Sequence, residues 1–222
     1  MRTVDCRLLV ACLIAGTLTV GAAYGQAAAT QPKWGLDVAV LNTAAQAWAL
    51  CGQNQDEFSM MVQKMVGMVS ANRGLQLPND RVMGQKIGGM VAREVLADPD
   101  NLLYAIVDHA ILATLGPQAQ CMIPTSVCEP APGKWTPAEM ATSTVTQAWQ
   151  ISGQNKTEFR KMLETAVALS LENRGLALED SKDNGIYLGN VLRTDLEAHP
   201  NDLLYTVADR SVRMVATVPA AK

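Results

Sequence analysis

The chain repeats itself. With no gap and at an offset of 101 residues, positions 33–114 pair with 134–215 and agree at 26 of 82 places. Lys33-Trp34 returns as Lys134-Trp135, Gln46-Ala47-Trp48 as Gln147-Ala148-Trp149, and Gly52-Gln53-Asn54 as Gly153-Gln154-Asn155. Asn72-Arg73-Gly74-Leu75 returns as Asn173-Arg174-Gly175-Leu176, and Leu102-Leu103-Tyr104 as Leu203-Leu204-Tyr205. Such a chain must build one small domain twice. The offset is too long for a solenoid repeat, whose units stack every 20–50 residues or so. It fits a duplicated domain, with modules at 33–114 and 134–215 and a Pro-rich linker at 115–133.

The periodicity is helical throughout, and strand signals are nearly absent, so the fold class is all-α with four helices per module. The first helix is expected over 36–50 and again over 137–151. Thr136-Pro137 marks its start in the second copy, as N-cap and first helical position. The second helix opens at Asn54 or Asn155, with Glu57 or Glu158 at capping-box spacing. Phe58, Met61, Met65 and Met68 line one face, with Phe159, Met162, Ala166 and Leu169 at the same places. Gly74 and Gly175 close it in the left-handed conformation.

The third helix spans about 79–97 and 180–198. Gly84 and Gly88, repeated as Gly185 and Gly189, lie one turn apart within it. A mid-helix glycine costs about 1 kcal/mol against alanine, so two on one face in both copies predict a closely approaching helix. The fourth helix is expected to begin near Asp98-Pro99 and His199-Pro200 and to bury Leu103, Ile106 or Val107, and Ala110 in the first copy, and Leu204, Val207 and Val212 in the second.

Residues 1–25 read as a signal peptide. Arg2 and Arg7 precede an uncharged stretch over 8–23, and Ala23 and Gly25 occupy the small-residue positions before Gln26. The apolar run is too short and too interrupted for a membrane span, which needs about 20 residues. A periplasmic or secreted protein without stable membrane insertion is therefore expected. After cleavage 16 basic residues face 20 acidic ones, with no basic block, which disfavours nucleic acid as a partner. An oxidising compartment permits disulfides. Cys121 and Cys128 flank a short loop in the linker, and a bridge there contributes ~2.5 kcal/mol by chain entropy. Cys51 has Ser152 as its counterpart. It reads as a buried small hydrophobe, with a bridge to the linker as the alternative. Residues 26–32 and 216–222 read as loose ends.

Signals for chemistry are sparse. His109 matches Arg210 and His199 matches Asp98, so no histidine site is duplicated. There is no Cys-x-x-Cys, P-loop, nucleophile-elbow or dinucleotide pattern, and no cofactor, metal site or catalytic set is expected. The methionines of helix two read as core filler, with a thioether Cu(I) site as the minor alternative. The polar and aromatic residues kept in both copies are the candidates for a ligand or partner surface: Gln46, Trp48, Arg73 and Asp108, with Gln147, Trp149, Arg174 and Asp209. An Asp on an apolar helix demands a partner. One reading pairs Asp108 with Arg73, and Asp209 with Arg174, as a structural clamp. The other makes them the polar floor of a groove walled by Trp48 or Trp149.

Gly185, Leu188-Gly189, Leu196, Ala198-His199-Pro200 and Leu203 resemble the C-terminal half of the exported immunity proteins that neutralise type VI secretion amidases, the Tai-like group. That resemblance covers about 35 residues per module. It implies a helical periplasmic domain that acts by binding a toxin. Those proteins are not duplicated and carry paired cysteines inside the domain. The function expected is a non-enzymatic helical binding or adaptor protein of the bacterial envelope with a protein partner. An immunity-type inhibitor and a carrier of a small molecule or lipid are the alternatives.

Overall fold

The computed structural model describes residues 34–78, 80–116, 134–179 and 181–218. Among them there are ten α-helices and no strand, only isolated bridges. The chain divides into two compact units, Met1–Pro124 and Thr125–Lys222, and the division falls within the expected linker. The expected signal peptide, the residues at 26–32 and the Cys121–Cys128 bridge lie outside the described residues. No described helix is long and apolar enough to cross a membrane.

The first unit contains α1 (Leu36–Ala39), α2 (Ala44–Leu50), α3 (Gln55–Arg73), α4 (Arg81–Ala97) and α5 (Leu103–Leu115). The second contains α6 (Pro137–Thr142), α7 (Val145–Ile151), α8 (Lys156–Arg174), α9 (Lys182–Ala198) and α10 (Leu204–Val215). The last helix of each unit is its centre. α5 packs on α3 and α4; α10 packs on α8, α9 and α6. α5 buries Leu103, Tyr104, Ile106, Val107, Asp108, Ala110 and Ile111 around almost its whole circumference. A helix apolar on all sides is stable only when its neighbours surround it. Phe58, Met61 and Met65 of α3 are wholly buried as part of that core, each contributing about 1.5–3 kcal/mol of transfer free energy.

Among the described residues each unit has five helical segments where four were expected. The first expected helix is broken at Thr43 and at Thr144 by complete capping boxes. Thr43 Oγ1 accepts from the Gln46 N–H at 3.2 Å, and Gln46 Oε1 accepts from the Thr43 N–H at 2.9 Å. Thr144 and Gln147 repeat both bonds at 3.2 and 2.9 Å. The break exposes backbone groups that a distant turn then satisfies. Ala44 and Ala45 N–H donate to the carbonyls of Asn101 and Pro99, each at 3.0 Å, and Leu103 N–H donates to Asn42 O at 3.1 Å. Val145, Thr146 and Leu204 make the equivalent bonds to Asp202, Pro200 and Ser143. The starts of the second and last helices are thus tied together in both units.

The same exchange corrects the start of the last helix. It begins at Leu103 and Leu204, several residues after Pro99 and Pro200, because the residues between form the turn that offers those carbonyls. The Asn N-caps of α3 and α8 are as expected. Asn54 Oδ1 accepts from the N–H groups of Asp56 and Glu57 at 2.9 and 3.1 Å. The reciprocal half differs, since Asn54 N–H donates to Cys51 O at 3.2 Å, not to Glu57.

The glycines of the third helix behave differently in the two units. Gly84 and Gly88 are buried. Gly185 and Gly189 are exposed, and a Cβ built on either would meet nothing within 4 Å. The close helix neighbour expected of both copies is therefore absent at Gly185 and Gly189, where that side of α9 faces away from the helices it packs on. The tail is tied further than expected, since Thr217 exchanges backbone bonds of 3.0 and 3.1 Å with Ala177. Cys51 is a free, buried thiol, which corrects the alternative of a bridge from it to the linker.

Candidate functional site

The end of α3 places its Asn-Arg pair against α5. Gly74 adopts φ 62°, the left-handed turn that ends the helix, and the two preceding side chains reach across. Arg73 Nε donates to Asp108 Oδ1, while Arg73 Nη2 donates to Asp108 Oδ2 at 2.6 Å. Asn72 Nδ2 donates to Tyr104 Oη at 2.9 Å. The second unit repeats the set: Arg174 Nη2 donates to Asp209 Oδ2 at 2.7 Å, and Asn173 Nδ2 lies 3.5 Å from Tyr205 Oη. Both ion pairs are nearly closed to solvent, with side-chain exposures of 12% and 7% in the first and 10% and 8% in the second. Burial, reinforced by the Asp108 charge, pushes the Tyr104 phenol far above its ordinary value, so it stays protonated. Ser170 adds a bond in the second unit alone, donating to Asp209 Oδ1 at 2.8 Å.

The other shared candidates lie elsewhere. Gln46 and Gln147 serve the capping boxes. Trp48 packs edge-to-face on Phe58 with ring centres 5.5 Å apart, and Trp149 does the same with Phe159 at 5.6 Å. Within its own unit each Arg therefore meets its Asp, Arg73 with Asp108 and Arg174 with Asp209, while the Gln and Trp candidates serve capping and aromatic packing.

Open grooves form instead between the third and last helices of each unit. One of about 470 Å3 lies between α4 and α5, lined among others by Lys86, Gly89, Met90, Arg93, Ala113 and Thr114. One of about 400 Å3 lies between α9 and α10, lined among others by Asn190, Val191, Thr194, Asp195, Arg210 and Met214. Gly89, Met90, Arg93 and Ala113 are the counterparts of Asn190, Val191, Thr194 and Met214, so the two grooves occupy equivalent places.

A cross-helix polar contact also recurs beside each groove. His109 Nδ1 lies 2.9 Å from Glu94 Oε1. At the same positions Arg210 Nε and Nη2 donate to the Asp195 carboxylate at 2.8 and 3.0 Å, and Nη2 also donates to Asp202 at 2.9 Å. Hydrogen bonding to Asp195, outweighing partial burial and joined by Asp202, holds the Arg210 guanidinium above its ordinary value. Matching identical residues overlooks this pair, because none of its members is identical between the copies. The signal was an acid at 94 and 195 facing a side chain with ring or guanidinium nitrogens at 109 and 210. Among the described residues, no group of three or more His, Cys, Asp or Glu side chains could hold a metal ion.

No family model, curated protein or solved structure matches this chain.

Proposed function

We propose that the protein is an exported, non-enzymatic helical binding protein, and that its units are two copies of one ancestral module. The α4–α5 and α9–α10 grooves are the surfaces that engage a protein partner. The observation that carries this reading is the recurrence of an open groove at equivalent positions of both units. The shared polar residues, by contrast, are taken up in capping and in helix-to-helix clamps. An ion pair closed to solvent and saturated by its partner has little left to offer a substrate. Two modest sites on one chain suit bivalent engagement, in which the second contact forms at high effective concentration. The signal-like features of residues 1–25 support an encounter in the periplasm or outside the cell.

The test uses the full chain as bait in envelope extract, beside Ala113→Arg, Met214→Arg and the double variant. Each substitution fills a groove at an exposed position. The expected result is a captured protein that each single variant retains weakly and the double variant loses. Capture that is indifferent to both substitutions overturns the reading. The identity of the captured protein decides between an adaptor and the toxin inhibitor that the family resemblance implies.

A further inference from the structure

The first groove carries cations without an ion pair, whereas the charges lining its counterpart, Asp195 and Arg210, are paired with each other. Lys86 and Arg93 are both exposed and stand seven residues apart on α4, about 10 Å along the axis. Gly89 and Met90 lie between them, and Thr114 Oγ1, which donates to Ala110 O at 2.7 Å, lies 3.3 Å from Met90 Sδ across the groove. No carboxylate among the described residues forms an ion pair with Lys86 or Arg93. Their counterparts are Tyr187 and Thr194, and the acid lining the second groove, Asp195, is occupied by Arg210. The two grooves share four equivalent lining positions and differ in electrostatics.

Lys86 and Arg93 flank the Gly89–Met90 strip from the two ends of the groove. We propose that the α4–α5 groove binds an acidic peptide segment of the protein partner, with two carboxylates flanking an apolar side chain. Lys86 and Arg93 take the carboxylates. Met90, a flexible thioether that adapts to irregular shapes, takes the apolar residue, over a surface left open at Gly89, where even a Cβ would meet nothing within 4 Å. Charge complementarity of this kind sets orientation and association rate and weakens with salt. A pair of cations suits a pair of carboxylates; a nucleic acid or an anionic membrane calls for a larger basic cluster. The inference rests on the partner-binding reading above and names the chemistry of one of its two surfaces.

The probe is a labelled peptide containing Glu-x-x-Leu-x-x-x-Glu, titrated with the full chain by fluorescence anisotropy. A version with Lys in place of both Glu residues, and phosphatidylglycerol vesicles, run alongside. The acidic peptide should bind and the basic one should not. Lys86→Gln with Arg93→Gln should weaken binding at least tenfold while leaving the helical circular dichroism unchanged. Tyr187→Lys with Thr194→Arg should add a second peptide site. Equal affinity for the two peptides, unchanged affinity in the Lys86/Arg93 variant, or tighter and equally variant-sensitive binding to vesicles overturns the proposal. Groove-dependent partner capture that survives the Lys86/Arg93 substitutions removes this inference and leaves the binding function standing.

Discussion

Arg73 and Asp108 meet in a two-pronged ion pair that joins the end of α3 to the middle of α5 across 35 residues of chain, and Arg174 and Asp209 meet the same way in the second unit. With both partners nearly closed to solvent, removing one leaves a buried charge unmatched. Asp108→Ala should lower the stability of the first unit by about 3–5 kcal/mol, whereas Arg73→Met combined with Asp108→Leu should recover most of that loss. Denaturant unfolding, with hydrogen exchange to assign the loss to α3 and α5, measures both. A cost below about 1 kcal/mol for Asp108→Ala would refute the clamp.

Ser170 distinguishes the second clamp from the first. It is wholly buried and bonded to Asp209, whereas its counterpart Val69 is wholly buried and apolar. Hydrogen bonds to charged groups are worth about 1.5–3 kcal/mol. Ser170→Ala should therefore destabilise the second unit by an amount in that range and leave the first untouched. Exchange rates in α8 and α10 that match the parent chain would contradict the assignment.

Gln53 and Gln154 sit at φ 59° and 56°, each just after a glycine that is also left-handed. A side chain in that region costs about 1–2 kcal/mol. Gln53→Gly should thus raise stability, by about 1 kcal/mol once the freedom gained by the unfolded chain is subtracted. Gly52→Ala should lower it, through backbone strain alone, because a Cβ there meets nothing within 4 Å. Urea midpoints of the two variants should move in opposite directions; movement in the same direction counts against the argument.

Burial, assisted by the negative charge of Glu57, pushes the Cys51 thiol up from 9.0 to about 11. The folded form therefore favours the neutral thiol. Its contribution to stability is complete below pH 9 and is lost as pH rises through about 11, because the unfolded chain ionises first. Tyr104, also raised, adds to the decline above pH 10. Cys51→Ser should remove the part of the decline that begins near pH 9, and native Cys51 should label slowly with iodoacetamide at neutral pH. Rapid native labelling, or an alkaline profile unaffected by the substitution, would show that the thiol is not held neutral.

Much of the architecture was legible because its signals are local or repeated. The Asn N-caps and the Gly74 and Gly175 stops depend on contacts within one turn of chain, which residue type alone can specify. The Arg–Asp clamp was legible for another reason: a carboxylate on an apolar helix needs a cation, and few residues shared by both copies could supply one. The Thr43 and Thr144 breaks left a readable trace, since Thr-x-x-Gln occurs in both copies, but helical periodicity runs straight across it. Gln46 and Trp48 belong to the fold for the same reason that they recur.

The sequence by itself determined that this chain makes helices, that it makes them twice, and where most of them stop, because those outcomes follow from side chains and backbone groups a few residues apart. Only the tertiary structure decided that the first helix must break, since that break lets the amides of residues 44, 45 and 103 find carbonyls far away in the chain. It alone decided that Gly185 and Gly189 lie open while Gly84 and Gly88 are buried. It alone formed the two grooves, because a groove is the space left between helices whose facing residues lie several helical turns apart in the chain, and no local pattern records that distance.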